Sequence, residues 1–374
     1  MEINSFFEAL EHQYNKQLPF VVYSRPINSI INSWLQSDNR LHTTTTFTES
    51  GFVFAPFNLS NKTVLFPKDN CEFRSIESKA KIELKDWGQF VPTDSDFINK
   101  KDHLDLVLKG ISDIEDGYLE KVVLSRIEAF KLKNVNPVEV FKRLYNTYKN
   151  AMVYCWYHPK VGLWLGATPE LLFKVEGQQL TTIALAGTQP NNNASQVKWA
   201  NKEIDEQQIV VDYIIHQIKP YAKSINVSEV ETISAGSLLH LKSRITSRVD
   251  DNANLRSIIE ALHPTPAVCG FPKQGSKAFI LEYENYDREY YTGFLGELNL
   301  KQSKSRNTNR RNVENNAYAV VKTQSNFYVN LRCAQIKDEK ALIYVGGGIT
   351  KDSIAEKEWE ETVSKTKTMH NVLG

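Results

Sequence analysis

Residues 152–186 read MVYCWYHPKVGLWLGATPELLFKVEGQQLTTIALA, and this stretch decides the fold class. Strand-like runs at 152–158, 162–165, 171–175 and 180–186 follow one another with no helical pattern between them. A strand at 121–127 precedes them, and the same texture returns at 290–300, 328–335 and 341–345. Strands gathered in runs, rather than alternating one for one with helices, argue for α+β with largely antiparallel sheets. They argue against a doubly wound parallel sheet. Helices are expected at 101–118, through Leu104, Val107, Leu108, Ile111 and Ile114, and at 195–218, at 254–262 and from 353 onward. Ser353-Ile354-Ala355-Glu356 fits a capping box at the start of the last of these. Residues 1–95 mix short strand-like stretches (20–23, 51–55, 63–66) with polar turns and carry no motif.

Composition narrows the function classes. The chain has 374 residues, 41% hydrophobic and 24% charged, enough for a large core. A net charge of +1 gives no electrostatic pointer to nucleic acid or a membrane surface. The start, Met1-Glu2-Ile3-Asn4, lacks the regions of a signal peptide, and no apolar run is long enough to cross a bilayer. Cys71, Cys155, Cys269 and Cys333 are scattered, without a Cys-x-x-Cys pair. The expectation is a reduced, cytoplasmic protein without a zinc site. Residues 301–316 are rich in Asn, Arg, Lys and Ser and read as a solvated loop joining two strands.

Several segments could carry chemistry. Glu358 and Glu361 sit three apart and share one helix face, with Lys365 a turn further on. Glu203 and Glu206 repeat the spacing upstream. Two such helices brought together offer four carboxylates for a hard divalent cation, although an acidic helix face is more often simply solvated. Lys121 opens an apolar strand, where burial can leave an amine able to act as a base, or where it can merely snorkel. Glu170 lies between a proline turn and an apolar strand, a setting that can raise its pKa to that of a general acid. It could instead cap a backbone N–H. Ala186-Gly187-Thr188 ends a strand with small residues, as close approach to a ligand or a tight turn requires. His263 and Thr265 sit on a loop braced by Pro264 and Pro266. Arg332, inside an apolar run, needs an anionic partner, from the protein or from a ligand. Gly346-Gly347-Gly348 between strand and helix suggests a phosphate loop, but no Gly-x-x-x-x-Gly-Lys-Ser/Thr is present.

In this order the segments resemble the chorismate-utilising enzymes: isochorismate synthases, salicylate synthases, anthranilate synthase large subunits and aminodeoxychorismate synthases. The likeness covers about residues 100–374. It rests on Lys-Val-Val-Leu-Ser-Arg at 121, Thr-Pro-Glu-Leu-Leu at 168, Ala-Gly-Thr at 186, Lys-Glu-x-x-Glu at 202 and Leu-His-Pro-Thr-Pro-Ala-Val-Cys-Gly at 262. It continues through Asp-Arg-Glu-Tyr-Tyr-Thr-Gly at 287, Leu-Arg-Cys-Ala at 331, Gly-Gly-Gly-Ile at 346 and Glu-Trp-Glu-Glu-Thr-x-x-Lys at 358. The resemblance implies two stacked, largely antiparallel sheets with helices outside and the active site in a cleft. Residues 1–95 would form a variable part of that fold and 96–374 its chorismate-binding core. It also implies Mg²⁺ on Glu203, Glu206, Glu358 and Glu361, or a subset, orienting the ring carboxylate of chorismate. Arg332 and Tyr291 would bind the side-chain carboxylate, with Gly187, Thr188, His263, Thr265, Gly347 and Lys365 lining the site. Two departures stand out: Gln207, where a histidine is common, and the insertion at 301–316.

Within the resemblance, members that add ammonia carry glutamine where this chain has Lys121, and members that add water carry lysine. Lys121 as base and Glu170 as acid would convert chorismate to isochorismate. Ala186 stands where aminodeoxychorismate synthases that form a covalent intermediate have lysine, which argues against that route. The expectation is an isochorismate synthase for menaquinone, with a siderophore pathway as the other destination and no obligatory protein partner. Salicylate synthase is the alternative, and a non-catalytic binding protein on the same fold is the alternative from another class.

Overall fold

Alternation along the strand Met152–His158 sets the layers. Met152, Tyr154 and Trp156 pack into one apolar cluster, Val153 and Cys155 into another, so both faces of the strand are covered. A computed structural model of the chain describes residues 2–78, 80–85, 90–91, 100–132, 135–190, 197–235, 238–304 and 320–373. The first sheet runs Gly270–Phe271, Lys121–Leu132, Lys340–Ile349, Cys333–Lys337, Gly162–Thr168, Met152–His158, Phe20–Ser24, Ile30–Gln36, Cys71–Glu77. The second runs Ala222–Val227, Leu238–Val249, Gln179–Pro190, Leu171–Glu176, Val320–Val329, Phe294–Lys304, Gly51–Ala55, Thr63–Pro67, His42–Thr44. Every strand pair among the described residues is antiparallel. The α+β expectation holds.

Aromatic rings join the sheets face to face. Phe54 of the second sheet meets Trp156 of the first with ring centres 4.9 Å apart, and Phe66 meets the same indole at 5.5 Å. Tyr290 stacks on Phe54 at 4.3 Å. Such pairs add specific geometry to the area they bury. Helices Ile3–Asn15, Pro137–Thr147 and Ala355–Leu373 cover the outer face of the first sheet, through Phe6, Leu10, Phe141, Leu144, Met369 and Val372. Helices Asn201–Ile218 and Leu255–Leu262 cover the second through Val211, Ile214, Ile258 and Ile259. Among the described residues no helix is long and apolar enough to cross a membrane.

Several elements differ from expectation. Residues 328–335 do not form one strand. Val320–Val329 belongs to the second sheet and Cys333–Lys337 to the first, with 330–332 passing between them. A second segment of the same chain does likewise, leaving the first sheet at Thr168 and entering the second at Leu171. The two crossings are bonded together: the Thr168 hydroxyl donates to Val329 O at 2.5 Å, and Val329 N–H to Glu170 O at 3.0 Å. Ala167 N–H donates to Arg332 O at 3.1 Å. The triglycine is not a turn; it lies within the strand Lys340–Ile349. Nor does the capping box form, because the Ser353 hydroxyl donates to Glu358 Oε1 (2.7 Å) and Glu356 pairs with Lys100 (2.7 Å). Helices Ile3–Asn15, Pro137–Thr147 and Lys273–Tyr283 and the strands at 222–249 were not anticipated. The predicted helix at 195 begins at Asn201. Most of the 301–316 segment lies outside the described residues, and the strands on either side of it pair antiparallel.

Candidate active site

The double crossing places Glu170 and Arg332 at the seam between the sheets. Arg332 takes φ +49°, a left-handed conformation that a bulky residue adopts only where its surroundings impose it. Its guanidinium makes two long contacts, to Lys365 O and Thr368 Oγ1, both 3.4 Å, and no ion pair with a described residue. Burial lowers its pKa, while Tyr291 and Glu361 nearby favour the charged form. Glu170 is half-buried, and desolvation pushes its pKa up to about 7 against the opposing pull of Lys121. The amine and the carboxyl expected to work together are thus electrostatic neighbours.

Lys121 opens the strand Lys121–Leu132, which pairs with the triglycine strand in the register Gly348↔Val123, Gly347↔Leu124, Gly346↔Ser125. Each glycine clears room for a different polar group. A Cβ on Gly348 would come within 2.9 Å of Lys121 Cε; one on Gly347 would lie 3.3 Å from Glu358 Oε2 and 3.7 Å from Glu361 Oε1. On Gly346 it would lie 3.1 Å from the Tyr291 hydroxyl and 2.7 Å from Leu124 O. The phosphate-loop reading falls away, since these glycines admit side chains rather than present amides to an anion. Lys365 donates to Gly346 O at 2.7 Å and also bonds Glu361, tying the closing helix to the strand. Burial and the neighbouring Glu361 raise the pKa of Glu358, with Ser353 and Lys365 opposing.

Gly187 sits at a bulge in the strand Gln179–Pro190, with φ +69°. A Cβ there would lie 3.1 Å from Glu203 O, so only glycine lets helix Asn201–Ile218 come this close. Gln207 holds the helix on the same face as Glu203, its amide donating to Ala184 O (3.2 Å) and Ser243 Oγ (3.3 Å). Glu203 Oε2 is buried without a hydrogen-bond partner among the described residues. The side chains of Thr188 and Glu206 lie outside the described residues. Among the described residues no three His, Cys, Asp or Glu side chains close into a cage, so the expected metal set appears as the Glu358–Glu361 pair with Glu203 apart.

His263 is buried, and desolvation brings its pKa down to about 3, so it is neutral. Its Nε2 donates to Phe57 O at 3.1 Å, which leaves Nδ1 an acceptor without a partner among the described residues. Thr265 Oγ1 is likewise buried and unpartnered. Tyr291 is buried, and its pKa is raised by desolvation. Two neighbours were missed in the sequence. His240 hydrogen-bonds the backbone of Gly187 and feels the charge of Arg332; its histidine within the apolar run Leu238-Leu239-His240-Leu241 was the available signal. Ser353, which holds Glu358, was read only as a cap.

A protein-family model described as chorismate binding enzyme matches residues 60–304 and 318–374. The chain belongs to the chorismate-binding enzymes. Isochorismate synthase DhbC of Bacillus subtilis (strain 168) is 28% identical over 294 residues, 73% of this chorismate-binding chain and 68% of that protein. Isochorismate synthase MenF of Pasteurella multocida (strain Pm70) is 30% identical over 283 residues, 71% of this chain; the match spans only 60% of MenF's own length. Among solved structures, MenF, the menaquinone-specific isochorismate synthase from Escherichia coli, superposes with a TM-score of 0.77 at 20% identity, covering 95% of this chain and 89% of that one. Anthranilate synthase component I from Streptococcus pneumoniae TIGR4 gives 0.64 at 17% identity, covering 94% and 92%. These two likenesses are of fold.

Proposed function

We propose that this chorismate-binding enzyme is an isochorismate synthase, adding water at C2 of chorismate and releasing the C4 hydroxyl as the ring double bonds shift. The observation that carries the reading is that Lys121 lies within electrostatic reach of Glu170, whose pKa is raised to about 7. At neutral pH a large share of Glu170 then holds the proton that a departing hydroxyl needs. Lys121, acting in its neutral amine form, takes the proton of the entering water while Glu170 gives its own to the leaving oxygen, so one proton is taken up and one released per turnover. Arg332, which has no ion pair with a described residue, binds the side-chain carboxylate beside Tyr291. Gly187, Thr188, His263, Thr265, Gly347 and Lys365 line the rest of the site. The unpartnered Nδ1 of His263 and Oγ1 of Thr265 offer hydrogen bonds to substrate hydroxyls.

The carboxylates suit a magnesium ion. Among the described residues Glu203 Oε2 is buried and unpartnered, and Glu358 and Glu361 converge on the bare Cα of Gly347, carboxylates whose charge a divalent cation would offset. Glu203, Glu206, Glu358 and Glu361 would hold Mg²⁺, which when bound neutralises and orients the ring carboxylate.

The purified protein incubated with chorismate and Mg²⁺, beside an EDTA control, tests the reading by mass-resolved chromatography. A metal-dependent product with the mass of chorismate and a new retention time is expected. Salicylate and pyruvate in equal amounts would make it a salicylate synthase, and unchanged chorismate would overturn water addition. For its destination we propose menaquinone. A disruption strain should lose menaquinone, and a strain that keeps it while losing a siderophore would reverse that choice.

A further inference from the structure

Arg126 ends the Lys-Val-Val-Leu-Ser-Arg segment and takes no part in the proposed chemistry. It is among the largest fully buried side chains, and among the described residues its ion-pair partner is Glu128, two residues along the same strand face (Nη2 to Oε2, 2.8 Å). Such a pair is a poor stabiliser, because desolvating two charges offsets most of their attraction. What it does well is fix geometry. Arg126 Nε donates to Thr362 Oγ1 at 2.8 Å, and the guanidinium carbon lies 4.3 Å from the ring centre of Trp359. The Thr362 hydroxyl in turn donates to Trp359 O at 2.7 Å. These contacts grip the helical turn 359–362, which contains Glu361 and directly follows Glu358. Glu128 makes a second, looser contact two turns further on, its Oε1 3.3 Å from His370 Nε2, close without hydrogen-bond alignment. The strand bearing both groups pairs with the triglycine strand, Val345↔Arg126 and Gly347↔Leu124.

We propose that Arg126 and Glu128 form a two-point polar clamp that sets the rotation of the closing helix and so aims Glu358 and Glu361 at Gly347. Arg126 is a positioning residue, not a catalytic one. Apolar contacts such as Met369 and Val372 against the sheet tolerate a small roll of the helix; a forked guanidinium between a carboxylate, a hydroxyl and an indole does not. The consequence for metal rests on the Mg²⁺ reading proposed above.

The test compares wild type with Arg126→Met, with the double variant Arg126→Met/Glu128→Gln, which leaves no lone buried carboxylate, and with Glu358→Gln. Mg²⁺ affinity is measured by calorimetry without chorismate, and folding by thermal melting. The clamp predicts that the double variant melts near wild type yet binds Mg²⁺ about tenfold more weakly, as losses of outer supporting groups do. Wild-type Mg²⁺ affinity in the double variant, with Glu358→Gln impaired, overturns the clamp and leaves the metal reading standing. If Glu358→Gln itself binds Mg²⁺ normally, the metal reading fails. The clamp is then decided by a crystal structure of the double variant: carboxylates turned away from Gly347 uphold it, and an unmoved helix overturns it.

Discussion

At the scale of single residues, Glu170 carries opposed demands. Its pKa, raised to about 7 by desolvation, means the folded chain keeps the carboxyl protonated well above the unfolded value of about 4.3. That contribution to stability is fully present below the unfolded pKa and is lost as pH rises through about 7, where a charge must be carried in a desolvated place. Glu170→Gln should therefore melt higher than wild type at pH 8 while losing on the order of 10²–10⁴-fold in kcat; a lower melting point would mean the carboxylate is paired. The same titration withdraws the free enzyme's acid, so kcat/KM should stop rising as pH passes about 7, and a kcat/KM still rising at pH 8 would remove Glu170 as the acid. Lys121→Gln should fold normally and lose water addition, and near-normal turnover would exclude it as the base. Both residues were legible because an unusual charge met an apolar flank. Arg332 was legible as a residue but not as a place. Tyr328-Val329-Asn330-Leu331-Arg332-Cys333 holds no glycine or proline to mark the crossing, whereas Thr168-Pro169 marks its counterpart. The φ of +49° belongs to a crossing between the two sheets, a long-range arrangement that local sequence does not describe.

At the scale of elements, the triglycine strand separates packing from function. A Cβ on Gly346 meets the carbonyl of Leu124 at 2.7 Å, backbone that cannot move aside, so Gly346→Ala should lose about 1–3 kcal/mol in urea unfolding. On Gly348 it meets the flexible end of Lys121, so Gly348→Ala should keep its unfolding midpoint while kcat falls at least tenfold. Equal stability losses in the two variants would refute this division. Some unanticipated elements did carry a signal. Asn136 accepts hydrogen bonds from Val138 N–H and Glu139 N–H, with Pro137 in the first turn, a helix start written in three residues. The helix Ile3–Asn15 likewise spaces Phe6, Phe7 and Leu10 along one face. The strand Gln179–Pro190, by contrast, runs past Ala186 because its partner Leu238–Val249 continues beside it, and no residue within 180–186 announces that.

Across the whole molecule, stability is expected to concentrate where the sheets meet. Trp156 has no exposed surface and touches Phe54 and Phe66 of the opposite sheet, so Trp156→Ala should lose about 3–5 kcal/mol; a loss under 1 kcal/mol would show that the sheets hold together without it. The α+β class was legible because consecutive strands reveal themselves by composition. Which strands pair was not: residues 20–24 lie beside 152–158, and 51–55 beside 294–304, partners chosen by the closing of two sheets rather than by local pattern.

The double crossing also limits how this chain can change in length. Residues 162–176 and 320–337 form one bent ribbon, bonded at 167–170 against 329–332. Losing one residue from the 162–176 arm ahead of Glu170 would slide that arm against its partner and turn every following side chain to the other face. Glu170 would then leave the seam while Arg332 stayed. Only matched losses in both arms keep the two together, so drift in length should be rare along this ribbon and common in the segment between 304 and 320, which joins paired strand ends.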